Sequence, residues 1–431
     1  MRSLASGFAA AAVVVAAPLA AQSEAFFARM DAPLQALYLH LHQHPELSFK
    51  EFQTAARMAA ELRALGLEVT ENVGGTGVVA VLRRGDGPVA LVRADMDALP
   101  VAEETGLPYA SKVRAESADG RAIGVMHACG HDLHMTCLIG AAAHFAGDPD
   151  SWRGTIVFQM QPAEERAGGM KAMLMDGLLT RFPRPAFAIA LHTAHDLPND
   201  QVGIRPGFAM ANVDNVDITL VGKGGHGAAP HLTIDPVTMG AQLVLDLQTI
   251  VAREIDPIDP CLLTVGSFQA GNKHNITPDR CHLQATIRSY APHVREKMMA
   301  AVVRKANAVA ASFGAPAPTV AFSEPTPALR NDAALTDVVR GGLVAAFGAG
   351  KVAEVPPAMV AEDFGRLDGE KIPLCMFRVG TIAPERLARM QAANDVPALH
   401  SARFHPDHEV AIRTGVRALV AATRAAGAQG R

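Results

Sequence analysis

Thr155-Ile156-Val157-Phe158-Gln159-Met160 is an apolar, β-branched run that stops at Gln161-Pro162 and releases Ala163-Glu164-Glu165. A short continuous apolar run closed by proline reads as a buried strand, because proline has no N–H to give a sheet ladder. Two further runs repeat the pattern. Val89 to Val92 leads into Arg93-Ala94-Asp95-Met96-Asp97, and Ala186 to Leu191 ends in His192. Helices expected over 25–43 and 50–65 alternate with such strands, which is the order of an α/β layer. In an open α/β sheet, ligands bind beyond the carboxyl ends of the strands. Three strands that deliver Asp, Glu and His to that edge describe one site.

Between the first and second of these acidic outlets lies His127-Ala128-Cys129-Gly130-His131-Asp132. Thiolate sulfur and neutral imidazole nitrogen are ligands for zinc-like cations, and a glycine between them frees the backbone to turn both onto one point. Taken alone, the cluster also reads as a loop with a buried cysteine and polar histidines. The acid pair favours the metal reading. Neighbouring residues of an extended segment point to opposite sides, so one carboxylate of Glu164-Glu165 can hold a cation while the other faces water. A bound ion lowers the pKa of that water to about 7, within reach of a glutamate base. That is hydrolytic chemistry.

The period changes after Pro206-Gly207. A strand over 212–221, a helix over 235–253 with Pro236 in its first turn, strands over 262–269 and 280–290, a helix over 293–313 and a strand over 319–323 follow one another. The order β-α-β-β-α-β is the ferredoxin-like pattern. Mixed α/β character returns from Glu324, with Glu362-Asp363-Phe364, a strand over 374–379 and a closing helix over 407–425.

Composition narrows the function classes. The chain has 431 residues, 49% hydrophobic and 19% charged, enough for two domains with substantial cores. Its net charge of -4, its lack of a basic run, one Trp and three Tyr give no footing for nucleic acid. Arg2, the apolar stretch from Leu4 to Ala17 and Pro18-Leu19-Ala20-Ala21-Gln22 have the pattern of a secretory signal peptide. The stretch is shorter than the roughly 20 residues needed to span a bilayer, so export to a periplasm without a stable membrane anchor is expected. The cleavage point is irregular, since Leu19 or Pro18 falls at the minus-three position. Five cysteines at irregular spacing argue against a disulfide framework. Cys137, Cys261, Cys281 and Cys375 are expected in the core, with a Cys261–Cys281 bridge as the open alternative.

The motifs HQHPELSFKE (42–51), RADMDALP (93–100), HACGHDLH (127–134), QPAEE (161–165), GKGGHGAAPH (222–231) and LHSARF (399–404) occur in this order. Together they resemble the metal-dependent aminoacylase and carboxypeptidase family, which includes hippurate hydrolases, N-acyl-amino-acid amidohydrolases and plant hydrolases of indole-acetyl-amino acid conjugates. The resemblance implies a centre of two divalent ions, Zn²⁺ or Mn²⁺, on Cys129, His131, Glu165, His192 and His400. It makes Glu164 the general base and Asp97 the acid that orients a ligating histidine. Asp95 stands where other branches carry a histidine, and His134 reads as a packed neighbour of the ligands. It also implies that His226, in a glycine-rich turn, stabilises the oxyanion, often in the neighbouring subunit's site, and that Asn275 and Arg288 hold the substrate carboxylate.

Because His400 must join ligands from before the insertion, the flanking segments are expected to form one discontinuous catalytic domain. The layout is then a leader at 1–21, catalytic segments at 22–206 and 324–431, and an inserted lid and dimerisation domain at 207–323. The expected function is hydrolysis of an N-acyl amino acid or dipeptide-like substrate by a homodimer. A dipeptidase or carboxypeptidase with the same centre, and a non-catalytic binding protein, are the alternatives. Departures from the family pattern fall at Gln284-Ala285-Thr286-Ile287 before Arg288, Val360-Ala361 before Glu362, and Ala402 after His400-Ser401. These leave the ligand set intact and touch the loops that shape specificity. His405 and His408 also crowd the His400 loop.

Overall fold

The computed structural model describes residues 13–117 and 120–428 and gathers the apolar runs into an eight-stranded sheet. In spatial order its strands are Glu68–Val73, Gly77–Arg84, Gly154–Gln161, Val89–Asp95, Phe187–Pro198, Leu374–Ile382, Val202–Ile204 and Val352–Glu354. The central four run parallel, and antiparallel strands flank them. Both faces of these strands are covered, which is why their sequences are nearly continuous apolar runs rather than alternating ones. Ile189, Leu191, Cys375 and Phe377 pack into one core with Tyr38, Leu138, Phe145 and Leu419 from three helices. Those helices are Val13–Gln43, His131–Gly147 and His408–Ala428. Ala188, Ala190, Leu374 and Met376 pack on the other face with Met170, Met173 and Phe364.

The register aligns the carboxyl ends. Asp95 pairs with Gln161, and Arg93 pairs with Ala190, two residues before Asp95 and His192 respectively. His192 in turn pairs with Arg378. One row across the sheet therefore reads Gln161, Asp95, His192, Arg378.

The chain leaves this layer through Gly207–Met210 and returns through Leu329–Asn331, and the two segments pair antiparallel. Between them lies an antiparallel four-stranded sheet in the order Cys261–Ala270, Arg280–Ser289, Asn212–Val221, Thr319–Thr326. This is the ferredoxin-like order, and the α/β fold with an inserted βαββαβ unit is as read from sequence. Helices Pro236–Thr249 and Pro292–Ser312 bury its second core, which includes Leu243, Leu247, Met298 and Val302. Asp235 starts the first helix by accepting from Val237 N at 2.9 Å, with Pro236 in the turn where its missing N–H is harmless. That helix does not continue to Arg253 as an α-helix; it passes into a π turn over Ile250–Glu254.

All five cysteines are free, and Cys261 is only half-buried. Cys261 sits opposite Ser289 and Cys281 opposite Ala270, at opposite ends of one strand pair, so no bridge between them is feasible. Of the leader read at 1–21, residues 1–12 lie outside the described residues, and the first helix begins at Val13. No helix among the described residues is long and apolar enough to cross a membrane.

Candidate metal centre

The site begins with the backbone at Gly130, whose φ is 81°. A Cβ there would also stand 2.7 Å from Thr193 Cγ2, so neither conformation nor space admits a side chain. This turn sets Cys129 beside His131, the first residue of the His131–Gly147 helix. His131 Nδ1 donates to the backbone carbonyl of Asp97 at 2.7 Å, and His192 Nδ1 donates to that of Thr193 at 2.8 Å. A carbonyl only accepts, so both rings are fixed with Nε2 facing the centre. His192 Nε2 lies 3.6 Å from Cys129 Sγ. His400, at φ 67°, is tied in by its N–H to Ala128 O at 2.9 Å and brings Nε2 to 3.3 Å from Glu165 Oε1.

Glu164 and Glu165 diverge for a different reason from the one read in the sequence. They do not continue an extended strand; they form a tight 3₁₀ turn, Glu164–Arg166, between Ala163 at φ 47° and Ala167 at φ 50°. Left-handed alanines cost about 1–3 kcal/mol each and persist only where their surroundings hold them. Carboxylates from three distant segments do so. Glu51 Oε1 accepts from Ala163 N at 2.8 Å, and Asp97 Oδ1 and Oδ2 accept from Glu164 N and Glu165 N at 3.0 Å each. Asp363 Oδ2 accepts from Met170 N at 2.9 Å. Asp97 thus orients His131 through its carbonyl, while its carboxylate, also bonded to Ser48 Oγ at 2.6 Å, orders the acidic turn.

Cys129, His131 and His192 form one donor set and Cys129, Glu165 and His400 a second, the atoms of each set lying within 4.8 Å of one another. Cys129 is common to both. His131 Nε2 and Glu165 Oε1, 3.8 Å apart, are buried and have no hydrogen-bond partner. Buried polar atoms left unpaired are costly, and thiolate, imidazole and carboxylate are the donors that Zn²⁺-like ions take. The residues therefore fit a pair of divalent cations.

The electrostatics agree. Burial, then the carboxylates of Glu362, Glu165, Asp363 and Asp95, hold Glu164 well above the usual carboxylate range. Burial, then Glu165, Glu164 and Asp95, push the Cys129 thiol up. Burial disfavours a charged His131, yet Asp95, Asp97 and Glu165 outweigh it and raise the imidazole to about 10. Excess negative charge is concentrated where cations would sit.

Other groups anticipated from the sequence fall elsewhere. His226 is exposed on a two-stranded ribbon in which it pairs with Ile276, and its Nδ1 accepts from Ala228 N at 3.0 Å. Asn275 is on the same ribbon and accepts from Gly227 N at 2.9 Å. Arg288 is half-buried and donates to Met359 O at 2.8 Å, three residues before Glu362. His226 belongs to none of the donor sets among the described residues. His134 is buried beside His131, its Nδ1 donating to Asp95 Oδ1 at 2.6 Å and its Nε2 accepting from Thr193 N, and with Asp95 and His131 it forms a further donor group. His405 meets Arg386, and His408 stacks on Tyr38.

Sequence reasoning missed the supporting frame. Arg93 is fully buried and donates to Asp95 at 2.8 Å, Glu362 at 2.8 Å and Gln161 at 2.9 Å. His42 is buried between Asp132, at 2.7 Å, and Glu103, at 3.2 Å. Glu51 holds the acidic turn. His42, Glu51, Arg93 and Glu362 all lay in quoted motifs, and the signal was an acid or base recurring beside otherwise apolar segments.

Comparison with known proteins matches residues 91–394 to the model of peptidase family M20/M25/M40. The chain is 37% identical over 326 residues to an N-acetyl-L-cysteine deacetylase of Bacillus subtilis, covering 75% of either chain. It is 36% identical over 374 residues to thermostable carboxypeptidase 1 of Saccharolobus solfataricus, covering 86% of this chain and 89% of that one. A crystal structure of a dinuclear metal binding peptidase of the M20 family from Bacillus subtilis superposes with a TM-score of 0.74 at 30% identity, covering 93% of this chain and 98% of that one.

Proposed function

The chain belongs to peptidase family M20/M25/M40, a family of metal-dependent hydrolases, and we propose that it cleaves the amide bond of N-acyl amino acids. The observation that carries this reading is the pair of donor sets meeting at Cys129, with Glu164 beside them, close enough to His131 and Glu165 to form a further group with them. Cys129, His131 and His192 would hold one ion and Cys129, Glu165 and His400 the other, with Zn²⁺ and Mn²⁺ the candidates. Bound divalent ions polarise a carbonyl oxygen and bring the pKa of water toward neutrality.

This chain's own residues do the rest. Glu164, with its proton affinity raised by burial and neighbouring carboxylates, takes the proton of the attacking water and returns it to the leaving amine nitrogen. Asp97 keeps the turn under Glu164 and Glu165 in place. His226 would stabilise the oxyanion and Asn275 the substrate carboxylate; their shared ribbon makes both arrive together. Arg288 would turn from Met359 O to the same carboxylate. The exposure of His226 supports a homodimer in which it serves the partner's site, and the leader pattern supports export. Similarity to a carboxypeptidase favours one second reading, hydrolysis of a peptide at its carboxyl end by the same groups.

The test is a panel of N-acetyl, N-benzoyl and dipeptide substrates on protein loaded separately with each metal, alongside Glu164→Gln. The variant is expected to keep its metal and lose about 10²–10⁴-fold in turnover. Near-normal turnover at full metal content would remove Glu164 from the mechanism.

A further inference from the structure

The carboxyl edge of the central sheet carries one cation that the centre above does not use. Arg378 pairs in register with His192 on the next parallel strand. Side chains alternate along both strands: Leu191 and Phe377 enter one core, Ala190 and Met376 the other. His192 and Arg378 follow Ala190 and Met376 by two residues and so emerge on the same face, one strand spacing of about 4.8 Å apart. Arg378 is half-buried, and its side chain has no hydrogen bond or ion pair among the described residues. Asp196 acts on it from nearby, but Asp196 is exposed and makes no ion pair with it.

A second guanidinium shares its space. Arg205 follows the Val202–Ile204 strand, and both arginines line a cleft of about 10 Å³ with Met210, Met376 and Val355. Arg205 donates to Val355 O at 3.1 Å, while its Nε is buried without a partner. Both cations also act on the phenol of Tyr290, which directly follows the third strand of the inserted unit and packs on Phe208 with ring centroids 5.8 Å apart. Two like-charged side chains on the wall of one otherwise apolar cleft, with Arg205 Nε left over, leave polar hydrogen unsatisfied. An anion completes them. The cleft has room for about one water-sized atom, such as a single carboxylate oxygen, beside the two side chains.

We propose that Arg378 and Arg205 form a receptor for a second carboxylate of the substrate, so that the preferred substrates are N-acyl derivatives of acidic amino acids. The inference rests on the amide-hydrolase reading. It places the acidic group one strand from His192, at the seam between the sheet and the inserted unit.

The experiment compares kcat/KM for N-acetyl-glutamate and N-acetyl-glutamine in chloride-free buffer. The wild type is expected to favour the acid by about 10–100-fold, the worth of a charge-assisted pair. Arg378→Gln should bring that ratio close to one, Arg205→Gln should lower it in the same direction, and Arg378→Glu should shift preference toward N-acetyl-lysine. A wild-type ratio at or below one, or a ratio that survives Arg378→Gln, overturns the proposal. So does chloride raising both rates equally in the absence of an acidic preference, which would give the cleft to a free halide. If no N-acyl amino acid is turned over, the amide-hydrolase reading fails instead, and calorimetric titration of glutarate into the metal-loaded protein still decides the receptor. Weaker glutarate binding by Arg378→Gln supports it, and equal binding overturns it.

Discussion

Removal of the Glu51 side chain tests how the acidic turn is held. Glu51 is 0% exposed and accepts from Ala163 N at 2.8 Å, Phe49 N at 2.9 Å and Thr76 Oγ1 at 2.5 Å. Phe49, at φ 61°, and Ala163, at φ 47°, are both left-handed, so one carboxylate secures two strained positions. Glu51→Ala leaves the buried Ala163 amide without an acceptor, at about 1–3 kcal/mol, and exposes the part-buried Phe49 amide to water at about 1 kcal/mol, or roughly 2–4 kcal/mol together. Glu51→Gln can keep its oxygen at the Oε1 position for both amides and donate through Nε2 to Thr76 Oγ1, so it should cost only about 1 kcal/mol. With about 1.5 °C per kcal/mol for a catalytic unit of about 290 residues, the alanine variant should melt about 5 °C below wild type and the glutamine variant about 1.5 °C below. Because Ala163 opens the turn bearing Glu164 and Glu165, the alanine variant should also lose metal faster on dialysis. Thermal melts and metal analysis of both variants make the check. If Glu51→Ala melts within about 2 °C of wild type and retains metal equally, or if Glu51→Gln is as damaging as Glu51→Ala, the clamp argument is wrong.

Two further outcomes follow from the same frame. Without a cation, burial and the carboxylates of Glu165, Glu164 and Asp95 keep Cys129 protonated, so metal-stripped protein should alkylate there slowly at neutral pH and faster as pH rises past the ordinary thiol range. Metal-loaded protein should resist throughout; equal rates in both forms, read by mass spectrometry, would end the ligand assignment. His42 is disfavoured as a cation by burial, but hydrogen bonds to Asp132 and Glu103 outweigh this and raise it from 6.5 to about 9. A raised folded-state pKa stabilises fully below the unfolded value, so this contribution should be complete below about pH 6.5 and lost by about pH 9, with a ceiling of about 3 kcal/mol. The lowered carboxyl pKa values of Asp132 and Glu103 include this same attraction and are not added to it. His42→Gln should flatten the dependence of Tm on pH across that window, and an unchanged slope would contradict the assignment.

The legible parts of the fold were those written in local pattern. Continuous apolar runs announced the covered parallel strands, and Pro206-Gly207 followed by alternation at 212–221 announced the inserted unit. The candidate donors were legible because Cys129, His131, Glu165 and His400 sit in short motifs that resemble a known family and His192 ends an apolar strand run. What stayed hidden was long-range polar pairing. Arg93 and Glu362 are 269 residues apart in sequence, and His42 and Asp132 are 90 apart. No local pattern tells a buried charge with a distant partner from an exposed one. The turn at Glu164 was also unreadable, since nothing in Pro162-Ala163 announces a left-handed alanine; distant carboxylates impose it.

The outgoing and returning crossings of the inserted unit are themselves a strand pair, with Asn331 opposite Gly207. Asn331 also donates to Arg205 O and Met376 O and accepts from Met376 N, which rivets the pair to the sheet. The two ends of the insertion are therefore already about 5 Å apart before anything is removed. In topological terms the unit is a cassette on a single ribbon. It can be excised and the gap closed by a short turn, or replaced by another domain with adjacent termini, while the register of the parallel strands below is left unbroken.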